Sequence, residues 1–137
     1  MPRITKDEIV ALCERELPFA KVLGTTVDEI GRGTAEVRLP YKSDLLRPGG
    51  TISGPAMMGL ADFAAFVAVL SLIGPVEMAV TTSLTCNFLR RPGPADLLAH
   101  ARILKLGKRL AVVEVSIFSE DEIVAHATGT YSIPPQD

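Results

Sequence analysis

One carboxylate stands out for its surroundings. Residues 53–71 read SGPAMMGLADFAAFVAVLS, and Asp62 is the single formal charge between Gly49 and Val76. A buried carboxylate costs several kcal/mol unless it is paired, hydrogen-bonded or protonated. An aspartate so placed is either held for structural reasons or does chemistry, and its type allows two roles, general base or nucleophile. Pro55 suits the first turn of a helix. Gly54 then stands at a helix N-terminus, where free N–H groups and the positive dipole end can meet a developing negative charge. Glycine also lets a ligand approach the backbone closely. Gly54 and Asp62 are eight residues apart, which on one helix is roughly 12 Å at about 1.5 Å per residue. They cannot flank one reacting group within a chain. Two chains with antiparallel central helices could set Asp62 of one against Gly54 of the other, which implies at least a dimer with sites at the subunit interface.

Other candidates are less pointed. In the strand-like segment 77–90, Val80, Thr82, Leu84, Cys86 and Phe88 share one face, and Thr81, Ser83, Thr85 and Asn87 the polar one. Arg90, Arg91, Lys105, Lys108 and Arg109 gather at strand ends and turns. Basic side chains there can hold phosphates or simply keep the surface soluble. His100 and His126 fall on the polar phase of their strands and read as solvated. Met57, Met58, Phe63 and Phe66 fit a pocket lining and core packing equally well.

Those candidates must be positioned by one domain. The chain has 137 residues, 47% hydrophobic and 22% charged, a globular balance able to bury a substantial core. A net charge of −2 and the lack of tryptophan speak against nucleic-acid binding. Cys13 and Cys86 have no metal-type spacing and read as reduced thiols, which fits a cytoplasmic location. The N-terminal stretch is too charged for a secretory signal. Segment 53–71 is long enough to span a membrane. However, Asp62 sits near its middle, and the rest of the chain reads as amphipathic strands that need a core.

Thr5 and Glu8 have capping-box spacing ahead of the apolar positions Ile9, Leu12, Cys13 and Leu17, so a short helix is expected there, closed by Pro18. Residues 21–41 read as two strands around a Gly31–Gly33 turn, with Ala35, Val37 and Leu39 on the dry face. A loop leads to a long helix, 55–73, ended by Gly74–Pro75. Four strand-like segments follow, roughly 77–90, 95–105, 110–119 and 122–133, read as a run of hairpins. In the last, Ile123, Ala125, Ala127, Tyr131 and Ile133 share a face. A sheet with one wet face must cover the other. The only element apolar all round is the long helix, so the expected architecture is α+β, a curved antiparallel sheet wrapped around it.

This layout, with SGPAMMGLAD at the start of the helix, VTTSLTCNFLRRP after it and ILKLGKRLAVVEVSIFSEDEIVAHATGTYSI in the closing strands, resembles the hotdog fold. It is similar in particular to the PaaI-type acyl-CoA thioesterases, relatives of hydroxybenzoyl-CoA thioesterase. The likeness covers about residues 20–133 of a single domain, 1–137, with residues 1–19 as an N-terminal helical extension. It implies hydrolysis of an acyl-CoA thioester to free acid and CoA, with Asp62 in the place of the catalytic carboxylate and Gly54 in that of the glycine whose N–H polarises the carbonyl. Thr81 falls near a position where relatives place a hydroxyl beside the reaction centre. Ser53, Ser83, Arg91, Lys108 and Arg109 are further candidates for substrate contact. No metal or redox cofactor is implied. A homo-oligomer is, either a dimer or a tetramer formed as a dimer of dimers. Three positions depart from the family pattern: Ser53 replaces a histidine, Pro55 a second glycine, and Arg47 an asparagine or glutamine of the preceding loop. These departures leave a second expectation open, a hotdog protein that binds acyl-CoA without turning it over. A hotdog dehydratase is disfavoured because neither histidine lies near the central helix in sequence.

Overall fold

The structure, a computed structural model, describes residues 1–135. Thr5 caps the first helix, α1 (Lys6–Glu16), and the capping box is complete: Glu8 N donates to Thr5 Oγ1 and Thr5 N to the Glu8 carboxylate. Pro18 does not close the N-terminal helical region. It opens a second helix, α2 (Pro18–Leu23), which Gly24 ends in the left-handed conformation at φ 86°. Residues 21–23, expected in a strand, are therefore helical, because proline at the first helical position is favourable and Gly24 supplies the stop.

Strands β1 (Thr26–Gly31) and β2 (Thr34–Leu39) form the expected hairpin, and Ala35, Val37 and Leu39 are buried. A 3-10 turn (Ser43–Leu45) leads to a minimal hairpin, β3 (Leu46–Arg47) and β4 (Thr51–Ile52). The long helix α3 (Gly54–Ile73) follows, then β5 (Val80–Phe88), β6 (Leu97–Leu106), β7 (Leu110–Ser119) and β8 (Glu122–Ser132). The six long strands form one antiparallel sheet in the order β1-β2-β6-β7-β8-β5. β5 and β6 are thus not a hairpin. β5 pairs with β8 at the sheet edge, and the following loop carries the chain back to the middle.

The sheet wraps α3, as its composition requires. Leu60, Ala61, Ala64, Ala65, Val67, Ala68, Val69 and Leu70 are buried, and they meet Val37, Ala99, Val113, Val115, Ile117, Ala125 and Ala127 of the inner sheet face. The alanines let the helix lie close to the sheet, while each fully buried leucine or valine contributes about 1.5–3 kcal/mol. α3 is long and apolar enough to cross a membrane, yet most of it is buried inside the protein, as expected of a core helix. Its C-terminal end is pinned to the β1–β2 turn by Ser71, whose hydroxyl donates to Ala68 O and accepts from Gly33 N.

Both histidines lie on the outer sheet face. His100 Nδ1 is 3.1 Å from Glu36, and His126 is within 4.0 Å of Glu114, which also binds Arg102. A depression of about 910 Å³ lies on this outer face and is lined by Glu36, His100, Arg102 and Glu114. Asp62 and Gly54 do not line it, and the candidate chemistry sits elsewhere.

Candidate active site

Asp62 lies at the start of the third turn of α3, half-buried. Its Oδ1 accepts a hydrogen bond from Thr81 Oγ1 at 2.6 Å and a short one from the Tyr131 phenol. Tyr131 Oη is also 2.6 Å from the main-chain carbonyl of Asp62. Among the described residues, Oδ2 makes no hydrogen bond or ion pair. The carboxylate is thus held by one oxygen, and Asp62 lines a cavity of about 310 Å³. Tyr131 is 1% exposed. Burial, the adjacent negative charge of Asp62 and the hydrogen bond to it push the phenol well above its ordinary range, with Thr81 opposing slightly. Tyr131 therefore stays a donor to the carboxylate.

Sequence alternation groups Thr81 with Ser83 and not with Leu84. A bulge between Thr81 and Ser83 reverses this. Thr81 pairs with Tyr131, the extra residue Thr82 bonds Thr130 O through its hydroxyl, and Ser83 pairs with Thr130. Thr81 is consequently turned inward to Asp62, in phase with half-buried Leu84 and Cys86, whereas Ser83 is exposed and Val80 is 52% exposed. Bulges commonly re-aim a side chain next to a site in this way. Ser83, proposed from sequence as a substrate contact, has no part in the Asp62 arrangement. Tyr131, the residue that the sequence reading left in the core, does.

At the other end of this helical segment, Ser53 is the N-cap of α3 and Gly54 its first residue. Of the earliest helical N–H groups, Ala56 N donates to Ser53 Oγ and Met57 N to Ser53 O, while Pro55 has none. Among the described residues, Gly54 N–H has no hydrogen-bond partner. The two departures from the family pattern thus act together: Ser53 and Pro55 leave Gly54 as the free donor. A Cβ at Gly54 would lie 3.4 Å from the Phe88 ring. Gly54 opens onto a cavity of about 440 Å³ shared with Arg47, Met57, Phe88, Arg90 and Arg91. Arg90 is paired with Glu122 at 3.1 Å.

Of the remaining basic candidates, Arg109 Nε donates to Ile133 O, beside the β7–β8 pair Leu110–Ser132. Lys108 lies in the same turn. This is the Val80 end of the sheet edge, opposite the Phe88 end where Arg91 lies. Arg91 and the Lys108–Arg109 turn are therefore not brought together within one chain. Both cysteines are free and half-buried, and burial raises their thiols, which weakens them as nucleophiles. Among the described residues no cluster of histidine, cysteine and carboxylate groups is arranged to hold a metal.

Residues 49–126 match the family model of the thioesterase superfamily. The chain belongs to the thioesterase superfamily. A thioesterase candidate from Silicibacter sp. TM1040 is 41% identical over 98% of this chain and 95% of its own, with a TM-score of 0.87. A point mutant of the phenylacetic acid degradation protein PaaI from Thermus thermophilus is 32% identical over 85% of this chain and 98% of its own, with a TM-score of 0.77. Among curated relatives, the 1,4-dihydroxy-2-naphthoyl-CoA hydrolase of Listeria monocytogenes is 26% identical over 102 residues, 74% of this chain and 83% of that one. The fold is the hotdog fold, of PaaI-like type, and the chain is a hydrolase of the thioester-cleaving class.

Proposed function

We propose that this thioesterase hydrolyses acyl-CoA at sites shared between two subunits, in a soluble, cytoplasmic homo-oligomer. The observation that carries the reading is the split of equipment along α3. Asp62 has one oxygen held by Thr81 and Tyr131 and the other open, and Gly54 N–H is a free donor eight residues away. With antiparallel α3 helices, Asp62 of one subunit faces Gly54 of the next. Gly54 N–H then stabilises the oxyanion as the carbonyl is attacked. As a base, Asp62 Oδ2 takes a proton from water while the water oxygen bonds to the carbonyl carbon. As a nucleophile, Oδ2 itself forms that bond, giving an anhydride that water opens. Either way the C–S bond breaks, and the sulfur leaves as a thiolate that is then protonated. Arg47 and Arg91 beside Gly54 fit the phosphates of CoA. Lys108 and Arg109 lie too far along the sheet edge to act with them in the same chain.

Hydrolysis of a panel of acyl-CoAs tests this, with Asp62→Asn and Gly54→Pro as variants. Asparagine keeps the acceptor for Thr81 and Tyr131 but cannot take a proton. Proline removes the Gly54 N–H at a first helical position, after a residue already at φ −72° and ψ 154°, a conformation that proline tolerates. Both variants lose activity. Their mixture recovers about a quarter of it, because hybrid dimers carry one intact site. Full activity in Asp62→Asn rejects the assignment. The binding-only alternative is favoured by one observation: Ser53 Oγ is engaged as a helix cap, so it does not take over the role of the motif histidine. Tight acyl-CoA binding with no turnover on the whole panel supports that alternative.

A further inference from the structure

The cavity beside Asp62 has walls that catalysis does not explain. One is α2, which supplies Phe19, Ala20 and Leu23. Phe63 and Phe66 of α3 and Val80 of β5 complete the apolar lining. Phe19 is 62% exposed, a large ring at the cavity rim that core packing does not need. α2 lies against α3 at Gly59, where an added Cβ would sit 3.0 Å from Leu23 Cδ2 and 3.3 Å from Phe19 Cε2. Glycine there is what lets α2 come so close. The wall is also tied in place, since Lys42 Nζ donates to Val22 O at 2.5 Å; Glu77 of the lining pairs with Arg15 of α1 at 3.2 Å.

The chemistry of the lining is one-sided. Its charged groups are Asp62 and Glu77, both acidic, and among the described residues no basic side chain lines the cavity. Glu77 is paired with Arg15, so an acyl group ending in a second carboxylate would face the charge of Asp62 with no basic partner in the lining. A volume of about 310 Å³ is at the low end for small-ligand pockets, about 300–1,000 Å³. We infer that this cavity is the acyl-recognition pocket, that it takes an uncharged hydrocarbon acyl group of limited length, and that Phe19 of α2 sets that length. This rests on the acyl-CoA reading above and extends it. The pocket and the open Oδ2 of Asp62 belong to one chain, so the acyl tail lies against the subunit that supplies the carboxylate.

The test is kcat/KM for acetyl-, hexanoyl-, dodecanoyl- and succinyl-CoA in the wild type, Phe19→Ala and Phe19→Trp. Phe19 is mostly exposed, so both variants fold. The wild type is expected to prefer hexanoyl over succinyl by at least about tenfold, a discrimination that a pocket of this kind can provide. Phe19→Ala raises dodecanoyl relative to hexanoyl about tenfold, and Phe19→Trp lowers it. Succinyl-CoA as good a substrate as hexanoyl-CoA, or one unchanged ranking in all three proteins, overturns the pocket assignment while leaving the acyl-CoA reading intact. Absence of hydrolysis on every substrate overturns both.

Discussion

Two cavities open along α3, and they are built from opposite materials. The one at Asp62 is walled by phenylalanines, leucines and Val80, with a carboxylate, a hydroxyl and a phenol at one end. The one at Gly54 has three arginines around a free backbone donor. The first has a carboxylate that can accept a proton, and the second has a free backbone donor and no carboxylate among its lining residues. Apolar walls suit an acyl tail and basic walls suit a phosphorylated carrier. On the proposed reading, each chain holds two half-sites, matched to the two halves of an amphiphilic thioester, and a complete site needs two chains.

If that division is right, the largest losses come from the residues each half contributes to the reaction. Asp62→Asn is expected to lower kcat by about 10²–10⁴, and Gly54→Pro by about 10²–10³, with hexanoyl-CoA hydrolysis as the assay. Equal losses in KM and none in kcat would mean that these groups bind substrate only.

A middle-sized effect separates holding the carboxylate from being it. Tyr131→Phe removes a donor to a charged group, worth about 1.5–3 kcal/mol. The expected outcome is a kcat fall of roughly tenfold to a hundredfold at unchanged KM. Thr81→Val acts on the same oxygen, so the double variant should fall short of the product of the two single losses. Steady-state kinetics on the four proteins checks both statements.

The basic half is expected to respond differently. Arg47→Ala with Arg91→Ala should raise KM about tenfold while sparing kcat, and the wild-type KM should rise with salt more steeply than the variant's. A kcat effect without a KM effect would break the assignment of this cavity to the carrier.

The legibility of these halves in the sequence was uneven, for physical reasons. Asp62 announces itself as a lone charge in an apolar helix, and Gly54 by its place before Pro55. The wrapped helix follows from the pattern of buried alanines facing alternating strands. Thr81 is grouped wrongly because a bulge breaks the period of two, and no local signal marks Thr82 as the extra residue. Tyr131 looks like core because it is core: only its pairing with Thr81 across β5 and β8 brings the phenol to Asp62. The edge placement of β5 is a long-range pairing, invisible to a reading that joins each strand to the next. α2 is missed because Pro18 can end one helix or begin another, and only Gly24 five residues past Phe19 tells which.

The smallest expected effect concerns stability and isolates the apolar half alone. Tyr131 is held protonated in the folded chain by burial and by Asp62, whereas in the unfolded chain a tyrosine ionises near about pH 10. Below that value both states keep the proton, so Tyr131 contributes no pH dependence. Above it the unfolded chain loses a proton that the folded chain retains, so stability falls as pH rises, by up to about 1.4 kcal/mol per pH unit from this one group. Cys13 and Cys86, also raised by burial, add to the alkaline slope in wild type and variant alike. Urea unfolding from pH 8 to 11 should therefore give Tyr131→Phe a lower stability at pH 8 but a shallower decline above pH 10. Parallel curves would mean that the phenol ionises as readily folded as unfolded, and that the hold on Asp62 Oδ1 is weaker than its geometry implies.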